Sequence, residues 1–118
     1  MPLYLYLLVC FPSSHYIVVS CRSAQGGSNL GTRRTTVEEV GVHRVAQAFV
    51  KHSFHAVVLV GGFEAYLSGL QMFEARDVFP QFRIPIVVIP ATISNNVPGT
   101  DITLGSDTSL NEITLVPL

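Results

Sequence analysis

The chain has 118 residues, one domain's worth, and at that length a folded protein buries roughly two-thirds of the surface its unfolded form would expose. Charged residues make up 13% against an average of about 25%, and hydrophobic residues 48%, a balance that excludes disorder driven by low hydrophobicity. A net charge of −1 supplies no field for the nucleic-acid backbone or an anionic membrane surface, so neither is expected as a partner.

Residues 1–23, MPLYLYLLVCFPSSHYIVVSCRS, carry apolar runs at 3–11 and 17–19 and no charge before Arg22. A spanning helix needs about 20 apolar residues, and Pro12-Ser13-Ser14-His15 breaks the run short of that. Two readings stay open. A secretory signal would have a basic leading region, which is missing, although the apolar run and the small residues Ser20, Ser23 and Ala24 imitate its other parts. The alternative is a β-type segment rich in Tyr, Leu, Val and Ile. Cys10 and Cys21 are too few for a disulfide framework or a zinc site. His15, His43, His52 and His55 have neither a CxxC nor an HExxH pattern beside them, so inert thiols, surface histidines and no metal site are expected.

Residues 25–34, QGGSNLGTRR, form a Gly-rich polar loop whose backbone could approach a ligand closely. A helix is predicted next. Thr36 and Glu39 fit a capping box, and Val37, Val40, Val45, Ala48 and Phe49 fall near one helical face, with Gly41 weakening the pattern but not ending it. Residues 56–60, AVVLV, read as a strand covered on both faces, stopped by Gly61-Gly62.

A second helix is predicted over residues 63–76, with Tyr66, Leu70 and Phe73 as its apolar stripe and with Glu64 and Arg76 placed to suit its dipole. Pro80 closes it. Residues 84–89 read as a second buried strand with Pro85 near its start. Helix, strand, helix, strand implies right-handed βαβ crossovers: an α/β fold with a parallel sheet and flanking helices. Ligands then collect beyond the carboxyl ends of the strands, here residues 61–65 and 90–96. Asp107-Thr108 begins a further helix reaching Ile113, its positive end toward the same crevice and Asp107 a cap rather than a catalytic group.

The second crevice segment is the more telling. Thr92-Ile93-Ser94-Asn95-Asn96, followed by Val97-Pro98-Gly99-Thr100-Asp101, holds hydroxyls and side-chain amides with no carboxylate before Asp101. Uncharged donors suit an anionic oxygen, and the same composition also makes an ordinary Asx-rich turn.

Three stretches taken in order, Gly26-Gly27-Ser28-Asn29-Leu30-Gly31-Thr32-Arg33-Arg34, Gly61-Gly62-Phe63-Glu64-Ala65-Tyr66 and residues 90–101, resemble the C-terminal half of an animal-type ATP-dependent 6-phosphofructokinase. The resemblance covers residues 25–114 as a partial phosphofructokinase domain. Residues 1–24 and the tail 115–118 do not resemble the family, whose chains are several times longer. It implies a cytoplasmic glycolytic enzyme family, tetrameric, that uses ATP and magnesium to phosphorylate fructose 6-phosphate. The rival class is a small secreted or membrane-associated protein with a functional apolar N-terminus.

The resemblance further implies that catalysis belongs to the N-terminal half and that the C-terminal half binds the activator fructose 2,6-bisphosphate. Where a catalytic half has Gly-Gly-Asp-Gly-Ser for magnesium and ATP, this chain has Gly61-Gly62-Phe63-Glu64-Ala65, without the aspartate. Where a catalytic half has Thr-Ile-Asp-Asn-Asp, with an aspartate as base, it has Thr92-Ile93-Ser94-Asn95-Asn96. A serine or asparagine does not take a proton usefully at neutral pH, but a neutral donor also does not repel a phosphate already attached. The set carried over is therefore an effector site, Arg34 with Thr92, Ile93, Ser94, Asn95 and Asn96, and no catalytic residue. Arg34 would grip one phosphate with two parallel hydrogen bonds, and Arg33 is its alternate.

Overall fold

The computed structural model describes residues 32–115. The apolar N-terminal segment, its cysteines, His15 and most of the Gly-rich loop lie outside the described residues.

The predicted first helix is two helices, α1 over Val37–Val40 and α2 over Val42–His52. Thr36 caps α1 as expected: its hydroxyl accepts from the Glu39 amide at 3.4 Å and donates to the Glu39 carboxylate at 3.3 Å. Gly41 does end the helix. Its φ of +98° is open to glycine and strained for other residues, and there its amide closes α1 on the Val37 and Glu38 carbonyls while its carbonyl opens α2. The periodicity survives the break, so Val37, Val45 and Phe49 are buried, joined by Ala46.

Strands β1, Val57–Gly61, and β2, Ile86–Pro90, pair in parallel from Val57 opposite Ile86 to Gly61 opposite Pro90. Pro85 precedes β2, where its missing N–H costs nothing, and its carbonyl accepts from the Val57 amide at 2.9 Å. The expectation that both sheet faces are covered is corrected among the described residues. Val57 and Leu59 join Val37, Val45, Ala46, Phe49, Met72 and Phe82 in one core, whereas Val60 and Val87 are 55% and 51% exposed on the opposite face. All helical residues in that core lie on one side of the sheet, so a continuous apolar strand does not by itself imply two covering layers.

Helix α3, Phe63–Glu74, also packs by a different stripe from the one its large residues suggest. Ser68, Gly69 and Met72 are buried, while Leu70 and Phe73, of the predicted stripe, are 39% and 60% exposed. Small residues bring the helix close to the sheet. Its polar side chains complete α1: the buried Ser68 Oγ accepts from the Val37 amide at 3.3 Å and Gln71 Oε1 from the Glu38 amide at 3.1 Å, supplying acceptors for amides that a helix start leaves unpaired.

Pro80 does not close α3, which ends earlier; it begins a 3₁₀ turn, Pro80–Phe82, at the position where a proline loses no hydrogen bond. Arg76 lies beyond α3 and serves that turn rather than the dipole, donating to the carbonyls of Phe82 at 2.9 Å and Ile84 at 3.0 Å. Helix α4, Ser106–Leu115, follows the crevice segment. Asp107 stands in its first turn rather than at a cap, favourably placed for the helix dipole.

Candidate functional site

The two strands end side by side, and the chain leaving each forms one wall of the crevice that the parallel topology predicts. The Ala91 amide donates to the Gly61 carbonyl at 2.8 Å, which carries the parallel pairing one residue past β2. On the first wall, Gly62 lies against Thr92: a Cβ added at Gly62 would sit 3.2 Å from the Thr92 Cβ, so glycine sets the width here. On the second, the Leu104 amide donates to the Pro90 carbonyl at 3.0 Å, so residues 92–103 leave the sheet and return to it as a closed loop.

Its interior is tied by side chains. The Thr92 hydroxyl accepts from the Ser94 amide at 3.2 Å, a local turn of the kind its composition suggested. Asn95 has φ +48°, the left-handed region, and its carboxamide spans the loop, donating to the Asp101 carbonyl at 3.0 Å and accepting from the Thr103 amide at 2.8 Å. Thr103, 2% exposed, donates its hydroxyl to the Thr92 carbonyl at 2.6 Å. Beneath these bonds Val97 is buried. The start of α4 abuts the same loop, since Ser106 donates both its amide and its hydroxyl to the Thr103 carbonyl.

The structure thus brings together five of the sequence-predicted site residues, Thr92, Ile93, Ser94, Asn95 and Asn96. Thr92 is half-buried and the other four are exposed. Arg34 is exposed in the segment entering α1, and none of the described hydrogen bonds or ion pairs joins it to the loop. Sequence reasoning missed Thr103. A lone threonine eleven positions from its partner belongs to no local motif, and only the return of the chain beside β2 brings it to Thr92.

The donors of this crevice are hydroxyls and amides, which suit an anion. They do not fit magnesium, a hard cation that takes carboxylate or phosphate oxygens. On the opposite wall Phe63 occupies the position next to Gly62 and stacks on Tyr66 with ring centroids 6.2 Å apart. No group of three or more His, Cys, Asp or Glu side chains could hold a metal among the described residues. A separate groove of about 400 Å³, lined by His43, Ala46, Val50, Lys51, Val78 and Phe79 among others, lies between α2 and the 3₁₀ turn and not at the strand ends.

Residues 14–116 match the family model described as phosphofructokinase. The chain belongs to the phosphofructokinase family. The match begins inside the apolar N-terminal segment and runs through α4. The chain is similar to the ATP-dependent 6-phosphofructokinase subunit beta of Candida albicans, 48% identical over 86% of this chain and 11% of that one. It is similar to the ATP-dependent 6-phosphofructokinase of Schistosoma mansoni, 50% identical over 77% of this chain and 12% of that one. Among solved structures, phosphofructokinase from Saccharomyces cerevisiae superposes with a TM-score of 0.70 at 55% identity, covering 73% of this chain and 11% of that one. Pichia pastoris phosphofructokinase in the T-state superposes with a TM-score of 0.72 at 52% identity, covering 75% and 10%. The phosphofructokinase-like α/β fold is therefore established, and the chain spans about a tenth of the length of these relatives.

Proposed function

We propose that this chain is a segment of the regulatory half of an animal-type ATP-dependent 6-phosphofructokinase, and that its crevice is part of a site for the effector fructose 2,6-bisphosphate. The observation that carries the reading is the loop beyond β2: Ser94 and Asn96 stand exposed on a tied loop, make no side-chain hydrogen bond among the described residues, and are neutral where phosphoryl transfer would need a carboxylate base. A phosphate accepts hydrogen bonds from such groups without charge repulsion. Thr92, Ile93, Ser94, Asn95 and Asn96 form this wall of the site, and Arg34 adds the charge that grips one phosphate of the bisphosphate.

In this reading the segment transfers no phosphate. The magnesium and ATP of the parent reaction, fructose 6-phosphate phosphorylation in glycolysis, are handled elsewhere in a cytoplasmic tetramer, and no metal or nucleotide is held here. No observation favours the alternative of a small secreted protein. The deciding experiment is a titration of fructose 2,6-bisphosphate against a full-length phosphofructokinase whose C-terminal half carries this segment, with and without Ser94→Asp. Saturable activation that the substitution weakens supports the site; activation indifferent to it places the effector elsewhere.

A further inference from the structure

Two side chains of the crevice loop make their hydrogen bonds within the loop itself. Asn95 uses its Nδ2 on the Asp101 carbonyl and its Oδ1 on the Thr103 amide. Thr103 passes the constraint on, giving its hydroxyl to the Thr92 carbonyl, and Thr92 in turn accepts from the Ser94 amide. The bonds form a circuit from Ser94 through Thr92 and Thr103 to Asn95. The backbone follows it, because Asn95 sits at φ +48°, a conformation that asparagine tolerates better than other residues with a Cβ. Outside the circuit stand the side chains of Ser94 and Asn96.

We propose that Asn95 and Thr103 are positioning residues of the crevice: they hold the loop so that Ser94 and Asn96 are presented to an anion, and neither contributes its own side chain to the ligand. This rests on the crevice being the sugar-bisphosphate site proposed above, and assigns Asn95 a place behind that site's contacts rather than among them. A loop ordered before the ligand arrives loses less conformational freedom on binding, so the circuit adds affinity without a contact. The hydroxyl of Thr103 is the critical atom. A methyl in its place leaves the shape intact and the Thr92 carbonyl without that donor.

The test compares Thr103→Val, which keeps shape and loses the hydroxyl, with Thr103→Ser, which keeps the hydroxyl, and with Asn95→Gly, which keeps the positive φ and loses both side-chain bonds. In a full-length phosphofructokinase carrying this segment in its C-terminal half, amide hydrogen exchange is read at Ser94 and Thr103 and, as a control on the fold, at Leu59, and fructose 2,6-bisphosphate is titrated into the same samples. Thr103→Val and Asn95→Gly should exchange faster at Ser94 and Thr103 and bind about tenfold more weakly, with Leu59 unchanged. Thr103→Ser should match the parent chain in both. Parental affinity and exchange in Thr103→Val, or equal damage in Thr103→Ser, overturns the proposal. If the unsubstituted full-length enzyme binds no bisphosphate, the reading of the crevice falls with it, and the exchange rates alone then uphold or overturn the circuit.

Discussion

Gly69 of α3 faces Val88 of β2 so closely that a Cβ added to the glycine would lie 2.8 Å from the valine Cγ2. Real Cβ atoms essentially never come that near a neighbour, and Val88, branched at Cβ and held in a strand, has little freedom to turn away. The first prediction follows. Gly69→Ala should lose about 1 to 3 kcal/mol to overpacking and regain up to about 1 kcal/mol in helix propensity, for a net loss. Thermal unfolding should show a midpoint lower by several degrees, and Val88→Ala should be less harmful in the Gly69→Ala background than alone. A midpoint raised by Gly69→Ala would mean that helix and sheet stand further apart than described.

The same contact explains what the sequence made legible and what it did not. Element order and type were readable, because the apolar runs ending in Gly61 and Pro90 and the helical spacing between them are local signals. Which face of α3 is buried was not. Tyr66, Leu70 and Phe73 are the larger side chains, but Ser68 and Gly69 pack inward, since closeness of approach and caps for α1 matter there more than side-chain size. The crevice divides in the same way. Thr92 to Asn96 could be found as a run of donors, whereas Thr103 becomes visible only once Leu104 is seen paired beside β2.

The second prediction concerns the uncovered side of the sheet. Among the described residues, Val60, Val87 and Ile89, at 55%, 51% and 36% exposed, make an apolar face on the paired strands β1 and β2, and apolar faces of that kind associate. The purified chain should run above monomer mass in sedimentation, and Val87→Lys should shift it toward monomer by placing a charge in the middle of the face. A sharp monomer boundary for the unsubstituted chain would contradict this.

The third prediction is that the chain alone transfers no phosphate from ATP to fructose 6-phosphate. Neither a metal-binding aspartate after Gly62 nor a proton-accepting aspartate at position 94 is present, and positioning alone does not replace either group. In a coupled ADP-release assay its rate should equal that of a Ser94→Ala control. Turnover above the control would show that the Ser94 hydroxyl itself takes part in the transfer.

The last prediction tests the site where it is whole, in a full-length phosphofructokinase carrying this segment in its C-terminal half. Ser94→Asp brings a negative charge against a bound phosphate. At about 4 Å two unit charges repel by about 4 kcal/mol at an effective dielectric near 20, and by about 1 kcal/mol in bulk water. Ser94 is exposed, so both limits bear on it, and the activation constant for fructose 2,6-bisphosphate should rise by about fivefold to a thousandfold. Arg34→Ala removes a charge-assisted bond worth roughly 1.5 to 3 kcal/mol, a rise of about tenfold to a hundredfold. Salt separates the two causes. Raising ionic strength screens the repulsion in Ser94→Asp and should recover part of its activation, whereas in Arg34→Ala the missing donor is not restored by any screening. Loss of turnover in the absence of activator, with activation intact, would reverse the assignment and make this the catalytic half.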